Sequence, residues 1–387
     1  MLKIFIKFMW WMLEVSTTDL PRYVMNRFKI YHSIYFSAFL ALLSCRNMGE
    51  VNSLTINFQR ISFPSINLNE LKYRVSHYNY KQDIFAGIDF KSGTLEVWHL
   101  NAFRFAYQLP IFEDGPNRIS EHLLTVYVHG PDSIFLITLQ DLIIIDQKGS
   151  IVFKLPFNFE NTPYQDLMVH YNPTLSQMSY YSSNKRSFFF SSRTANPNSE
   201  YLYNRPVVSS INLLSKEIRT DYPVCPKEIA ESFVLPFAET VVNVFEDKLV
   251  YSFFGTSTLW VYDLQANSTN TYAYKEFKNN LPNKHFGFNF GSEANKHASS
   301  AINYLCLGYN SKTKLFLRQI VDNSERQATG RAKSSVAIFD QDLNLIGTRE
   351  LEQHCSSTFY PYKEGFALKI FRDSSENQSD YLYISVN

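Results

Sequence analysis

The chain has 387 residues, and its 37 lysine and arginine residues nearly balance its 36 aspartate and glutamate residues. This balance argues against nucleic acid as a partner, because phosphate binding needs a concentrated basic surface. Aromatic content is high, with 33 Phe and 25 Tyr, and hydrophobic residues make up 45% of the chain. Aromatic side chains favour strands, so the composition predicts an all-β protein with enough apolar residues for a packed core.

The segment 25–44 has the pattern of an export signal. Arg27 and Lys29 supply positive charge, and residues 34–43 form an apolar run that is too short for a bilayer span of roughly 20 residues. The run leads into the letters LLSC, whose last residue is Cys45. This order resembles the bacterial lipobox, so we predict a lipoprotein signal peptide over 25–44 and lipidation of Cys45. An ordinary cleaved signal peptide or an N-terminal anchor helix is the alternative.

Residues 1–24 hold a second apolar run, which is interrupted by a lysine and followed by Glu14, Asp19 and Pro21. These residues prevent the two apolar runs from forming one membrane span. A signal peptide that begins at Met25 also has the usual length. We therefore predict that translation starts at Met25 and that residues 1–24 are a mis-annotated extension.

Lipidation at Cys45 would anchor the domain to a membrane without spanning it. The next residue is Arg46 rather than aspartate, which by the usual bacterial sorting pattern favours the outer membrane. The domain would then lie in the periplasm or at the cell surface of the envelope. The polar stretch 45–53 predicts a tether.

From residue 54 onward, short apolar runs alternate with polar turns, as expected for hairpins. One strand is predicted first, and two four-stranded units follow it. The predicted strands are 54–62, then 73–80, 84–90, 95–100 and 103–109, then 123–129, 133–139, 142–146 and 151–155. Further units cover 177–222, 233–274 and 302–351, and the last unit, 357–386, contains only three predicted strands.

Four-stranded units that recur every 40–50 residues are typical of a β-propeller. We therefore predict that residues 54–387 form a six-bladed β-propeller with four-stranded blades, preceded by the signal peptide. The strand at 54–62 is expected to complete the last blade by pairing near 381–386. A β-sandwich or two smaller β domains is the alternative, but no linker rich in Pro, Gly or Ser divides the chain.

A lipobox followed by a Tyr-, Phe- and Asn-rich chain of six such units resembles the TolB-like six-bladed β-propeller lipoproteins of Bacteroidetes. The resemblance covers residues 25–387. It is carried by the blade hairpins and by the segment 309–320, YNSKTKLFLRQI, which is similar to a turn-then-strand segment that reaches an arginine in such proteins. The resemblance implies a fold and a location in the cell envelope, but no activity.

Propellers bind ligands where loops converge at the mouths of the central channel. The longest predicted segment without strands is 278–300, which could be a binding loop or lid, or a surface insertion. It contains His285, Glu293 and His297, which we include as candidate ligand-binding residues. Their spacing fits no zinc motif, so we predict no metal and no cofactor.

Arg318 is a further candidate, because it follows an apolar run on a predicted strand. A charge in such a position must face solvent or find a partner. In a propeller channel, it could hold a carboxylate or phosphate through two parallel hydrogen bonds. Arg186 and Arg193, which flank the predicted strand 187–192, have the same two possible orientations.

No catalytic motif of the hydrolase, P-loop or dinucleotide-binding kind is present, and no cysteine pair has CxxC spacing. We predict a lipid-anchored envelope propeller that binds a peptide, protein or glycan at one channel mouth and is not an enzyme. The alternative is an extracellular carbohydrate-active lyase or hydrolase, which would need several convergent titratable groups. A structural subunit of an envelope complex would instead expose an apolar patch on the propeller rim.

Overall fold

The computed structural model describes residues 55–63, 73–79, 81–99, 104–111, 119, 123–160, 162–169, 179–194, 205–220, 222–232, 240–279, 281–282, 292–324, 332–352, 355–370 and 379–387. All of them belong to the unit Thr55–Asn387. The predicted signal peptide, Cys45 and tether lie outside the described residues. None of the described helices is long and apolar enough to cross a membrane.

The described residues form six antiparallel sheets arranged as the blades of a propeller. The first strand, β1 (Ile56–Phe63), belongs to the last blade. Blade 1 contains β2 (Tyr73–Asn79), β3 (Ile84–Asp89), β4 (Thr94–His99) and β5 (Arg104–Pro110). Blade 2 contains β6 (Leu123–Gly130), β7 (Ser133–Thr138), β8 (Asp141–Ile145) and β9 (Ile151–Pro156). Blade 3 contains β10 (Leu167–Val169), β11 (Ser179–Ser182), β12 (Ser187–Thr194), β13 (Val208–Asn212) and β14 (Ile218–Arg219).

A short helix, α1 (Lys227–Glu231), precedes blade 4. Blade 4 contains β15 (Thr240–Phe245), β16 (Lys248–Phe253), β17 (Leu259–Asp263) and β18 (Ser268–Tyr272). Helix α2 (Ser292–Ser300) leads into blade 5, which contains β19 (Ile302–Asn310), β20 (Leu315–Asp322), β21 (Lys333–Phe339) and β22 (Leu345–Leu351). Blade 6 contains β23 (Cys355–Tyr362), β24 (Gly365–Ile370), β25 (Ser379–Val386) and the returning strand β1.

The last blade is closed by the two ends of the domain, as the sequence predicts. Strand β1 pairs antiparallel with β25, from Ile56 opposite Val386 to Phe63 opposite Ser379. The backbone N–H of Thr55 also donates to the carbonyl of Asn387 at 3.0 Å. This closure gives β25 a partner on each side and removes an open sheet edge that would otherwise invite association.

The second strand of each blade is the most deeply buried. For example, β7 and β16 are buried along nearly their whole length, whereas the outermost strands β9 and β18 are half-buried or exposed. A second strand packs against neighbouring blades on both faces. It is therefore a continuous apolar run, such as IFLIT in β7, rather than an alternating one.

The innermost strands of neighbouring blades are joined by polar side chains. Between blades 1 and 2, the backbone N–H of Val128 donates to Nδ1 of His77 at 3.1 Å. The amide of Asn79 donates to the carbonyls of Val128 and His129 at 3.2 and 2.9 Å. Ser76 and Tyr360 join blades 1 and 6 through their hydroxyl groups at 3.1 Å.

Asparagine side chains form similar bridges on the other side of the ring. Asn243 of β15 donates to the carbonyl of Leu307 at 2.9 Å. Asn310 of β19 donates to the carbonyls of Lys363 and Gly365 at 3.2 and 2.6 Å. These bonds satisfy inner-strand carbonyls and set the relative position of adjacent blades, which in turn shapes the channel.

Two local features differ from the sequence prediction. Blade 3 has an additional strand, β10, that pairs with the far end of β12, from Leu167 opposite Thr194 to Val169 opposite Ser192. Three residues are too few to show a strand periodicity in the sequence. The predicted loop 278–300 also ends in helix α2, whose letters SEANKHASS include good helix formers such as Glu, Ala and Lys.

Candidate ligand-binding site

A cavity lies at one end of the propeller, where hairpin turns link the inner strand of each blade to the next strand. Its volume is about 480 Å³, within the range of roughly 300–1,000 Å³ that is common for small-molecule sites. We call it the turn-side cavity. All six blades contribute to it, through His77, Tyr78, Asn79, Lys81, Gln82, Tyr127, His129, Ser179, Tyr180, Tyr181, Ser183, Val242, Asn243, Val244, Phe245, Glu246, Tyr309, Asn310, Ser311, Lys314 and Pro361.

Aromatic rings form two groups in this lining. In the first, the rings of His129 and Tyr181 meet edge to face, with centroids 4.8 Å apart. In the second, the rings of Phe245 and Tyr309 are tilted with centroids 4.8 Å apart. The pairs lie on different blades. Such rings give a cavity rigid apolar walls, and tyrosine adds a hydroxyl that can bond a ligand.

The two histidines of the lining are neutral at physiological pH. Burial lowers the pKa of His77 from 6.5 to about 3, and burial also lowers the pKa of His129. Nδ1 of His77 accepts the backbone N–H of Val128, so the ring proton of the neutral form sits on Nε2. His77 therefore supports the blade interface, and its ring contributes no charge to the cavity.

The rim of the cavity carries charged side chains, and some of them pair across blades. Lys185 of blade 3 lies 2.8 Å from Asp247 of blade 4. Hydrogen bonds hold the pKa of Asp247 below its usual value, the largest contribution coming from Lys185 and the next from Gln265. Lys312 of blade 5 pairs with Glu364 of blade 6 in the same way.

Three charged groups of the lining have no ion pair among the described residues. They are Lys81 on blade 1, Lys314 on blade 5 and Glu246 on blade 4, and all three are exposed. With both histidines neutral, two lysines and one glutamate give the described lining a net charge of +1. The cavity therefore combines aromatic walls, amide and hydroxyl groups, and a small positive excess.

Several rim turns place a charged residue in the left-handed backbone region that favours glycine. The φ angles are +54° at Asp83, +50° at Arg186, +52° at Glu246, +58° at Lys314 and +49° at Lys363. These five residues belong to five of the six inner turns. The turns therefore keep charged side chains at the rim where glycine would relieve the backbone.

Arg318, the most conspicuous sequence candidate, lies outside the cavity. It is 1% exposed, and its two terminal nitrogens donate to three carbonyls of blade 4 at 2.8 Å, those of Phe253, Thr256 and Ser257. The guanidinium also lies over the ring of Tyr304, 5.0 Å from its centroid. Burial lowers its pKa to about 9, which leaves it charged at neutral pH. Arg318 therefore has partners at the interface between blades 4 and 5, and it neither faces solvent nor lines the cavity.

The other sequence candidates are dispersed. Arg186 is exposed in the turn between β11 and β12, beside the cavity but not in its lining, and Arg193 lies at the opposite end of β12. Glu293 and His297 lie on α2, which precedes the first residue of β19. The cavity lies at the last residue of β19, roughly 25 Å away at about 3.3 Å per residue. His285 lies outside the described residues.

The residues that line the cavity are hard to recognise from the sequence. Lys81, Glu246 and Lys314 stand in polar turns after a first strand, where charged residues are common. Nothing local separates them from turn residues at the blade edge. Aligning the predicted units on the turn that follows each first strand would have placed Lys81, Glu246 and Lys314 in equivalent turns.

The described residues contain no group of three or more His, Cys, Asp or Glu side chains that could hold a metal ion. Cys225 and Cys355 are buried free thiols. Burial raises the pKa of both, and that of Cys355 reaches about 12. A thiol is a good nucleophile only as thiolate, so these two cysteines are core residues rather than candidate nucleophiles.

The fold is that of a six-bladed β-propeller with a cavity at one mouth. Residues 52–350 match the model of a family described as a domain of unknown function, DUF4221, and the chain belongs to that family. This confirms the family that the sequence resembles. No curated protein matches the chain.

Solved structures agree with this fold. A DUF4221 family member from Bacteroides vulgatus has 14% identity and a TM-score of 0.65, with 86% of this chain and 98% of that chain covered. A protein from Bacteroides fragilis has 10% identity and a TM-score of 0.50, with 86% and 95% covered. At these identities the likeness concerns the fold alone.

Proposed function

We propose that the chain is a lipid-anchored binding module of the cell envelope that takes a peptide, protein or glycan ligand in the turn-side cavity. The observation that carries this proposal is the cavity itself, to which all six blades contribute. Concave sites with aromatic walls and a few polar groups are the usual form of a ligand pocket. The hydroxyl and amide groups of Ser183, Ser311 and Gln82 supply that polar component.

The titratable groups favour binding over catalysis. Glycoside hydrolysis generally uses two carboxylates that flank the scissile bond. The described lining contains one carboxylate, Glu246, together with two histidines whose pKa values are lowered by burial. A carbohydrate lyase or hydrolase remains the alternative function. New reducing ends or unsaturated sugars after incubation with oligosaccharides would support it.

The proposed cellular location depends on the N-terminal sequence. The proposal includes a signal peptide over 25–44, a lipid on Cys45, a tether over 45–53 and a location at the outer membrane. The order of positive charge, apolar run and LLSC letters supports it. Metabolic labelling with a fatty-acid analogue would detect the lipid, and Cys45→Ser should abolish the label.

A cavity-filling variant tests the binding function. Ser311 is exposed in the lining, so Ser311→Trp should fill the mouth. Ser215→Trp is the matched control, because Ser215 is also exposed, on the outer turn between β13 and β14, and does not line the cavity. The full-length protein would be titrated with a panel of short peptides and oligosaccharides by calorimetry. Binding that Ser311→Trp abolishes and Ser215→Trp preserves is expected, and binding that survives both changes would place the ligand elsewhere.

A further inference from the structure

We propose that the turn-side cavity selects a ligand with one carboxylate, which lies between Lys81 and Lys314 while the body of the ligand packs against Tyr181 and Tyr309. This deepens the binding function proposed above and rests on it. The shared chemistry is a single negative charge next to a compact body. An acidic sugar and the free C-terminus of a short peptide both have that chemistry.

The first step concerns which rim charges are already satisfied. Asp247 and Glu364 pair with Lys185 and Lys312 across neighbouring blades. Asp83 accepts the hydroxyl of Tyr78 at 3.0 Å. The two ion pairs neutralise Asp247 and Glu364, whereas the hydroxyl that Asp83 accepts is neutral; Asp83 does not line the cavity.

The second step concerns the lysines that remain. Lys81 and Lys314 line the cavity, are exposed, and have no ion pair among the described residues. They belong to blades 1 and 5, on either side of blade 6, whose described contribution to the lining is Pro361. Two lysines of the lining thus flank blade 6. An anion that contacts both ammonium groups would gain two charge-assisted hydrogen bonds.

The third step concerns the size of the charge. Both histidines are neutral, because burial lowers their pKa values, and Glu246 offsets one lysine. The net charge of +1 matches a monoanion better than a phosphate monoester, which carries a charge of about −1.5 to −2 at neutral pH. A carboxylate is the monoanion that this lining fits.

The fourth step concerns the body of the ligand. Tyr181 and Tyr309 are half-buried, so part of each ring faces the cavity. Tyr181 is held by the ring of His129, and Tyr309 by the ring of Phe245. Rings fixed in this way offer flat surfaces to a sugar ring or a side chain at little entropic cost.

The test compares matched charged and neutral probes on the full-length protein. One pair is the methyl glycoside of galacturonic acid and its methyl ester, and the other is N-acetyl-glycyl-tyrosine and its C-terminal amide, so each acid has one carboxylate and each counterpart is uncharged. We expect one acid to bind about tenfold more tightly than its neutral counterpart, which corresponds to 1.4 kcal/mol. The pair that shows this preference identifies the source of the carboxylate.

Three charge variants test the location. Lys81→Gln and Lys314→Gln should each weaken binding of the acid about 3-fold to 10-fold, whereas Glu246→Gln should strengthen it about 2-fold to 3-fold, as expected for charge contacts at a solvated rim. Lys148→Gln is the control, because Lys148 is exposed on the turn between β8 and β9 and outside the lining. Thermal melts would verify that each variant is folded.

Other outcomes separate this inference from the binding function. If an ester or amide binds as tightly as its acid and Ser311→Trp abolishes that binding, the cavity binds ligands but does not select a carboxylate. If no acid binds, or if Lys81→Gln and Lys314→Gln change acid binding no more than Lys148→Gln, the inference is overturned. Failure of every panel ligand as well would overturn the binding function too.

Discussion

At the scale of single residues, a charge in an apolar run has a structural meaning in this fold. Arg318 follows three apolar residues of β20, yet its guanidinium holds the turn between β16 and β17 of the neighbouring blade. The hydroxyl of Thr256 and the N–H of Ser257 in that turn both donate to Asn279. The turn is therefore fixed from two sides, and Arg318 supplies donors to three carbonyls at the buried blade interface.

Replacing Arg318 should cost stability. In Arg318→Met, three carbonyls lose their donor, and an unsatisfied buried polar group is costly. We expect the free energy of unfolding to fall by about 3 to 5 kcal/mol, measured by urea denaturation. Arg186→Met, at an exposed arginine of the rim, should change it by less than about 0.5 kcal/mol. Equal stability of the two variants would contradict the structural role.

His77 should make the stability depend on pH. Its folded-state pKa is about 3 and its ordinary value is 6.5, so between these values the unfolded chain binds a proton that the folded chain does not. The neutral ring thus contributes stability that is complete above pH 6.5 and is lost as the pH falls toward 3. The loss is at most about 1.4 kcal/mol per pH unit.

The measurement is the free energy of unfolding of the wild type and of His77→Gln at several pH values from 7 to 4. Glutamine can still accept the N–H of Val128 but does not titrate. The variant should therefore lose less stability than the wild type over this range. Parallel curves would show that His77 is protonated in the folded state without cost.

At the scale of elements, the first turns of the blades combine backbone strain with surface charge. Glu246 has a φ of +52°, and a side chain in the left-handed region costs about 1 kcal/mol. Glu246→Gly should raise the free energy of unfolding by up to about 1 kcal/mol, since glycine relieves the strain but gains freedom in the unfolded chain. Glu246→Gln keeps the strain and should leave stability nearly unchanged. Thermal melts of both variants would separate the effect of backbone strain from the effect of the charge. An equal change in melting temperature for the two variants would contradict this account.

The elements were largely predictable because blade geometry imposes local patterns. Continuous apolar runs identified the second strands, and polar turns identified the hairpins. β10 was missed because Leu167–Val169 is shorter than any periodicity, and it pairs with residues outside its own hairpin. The site was less predictable: Lys81 and Lys314 are far apart in sequence, and only the closed ring brings their turns to one cavity. A charge at the end of an apolar run favoured Arg318 instead, but its side chain is buried at the interface between two blades.

At the scale of the whole molecule, the pairing of β1 with β25 closes the ring. Deletion of residues 381–387 would remove most of β25, which pairs with β24 on one side and β1 on the other. The truncated chain should lose its cooperative thermal transition, monitored by circular dichroism, because two strands lose their partner at once. A cooperative melt at an unchanged temperature would contradict the role of this closure.

The position of that closure also determines at which end of the propeller the chain enters the domain. Gly365 follows the rim turn of blade 6 and pairs with Ser385, and Ile56 pairs with Val386. Thr55 therefore enters the domain at the same end as the turn-side cavity. Any attachment that acts through the residues before Thr55 therefore acts on the end of the domain that holds the cavity.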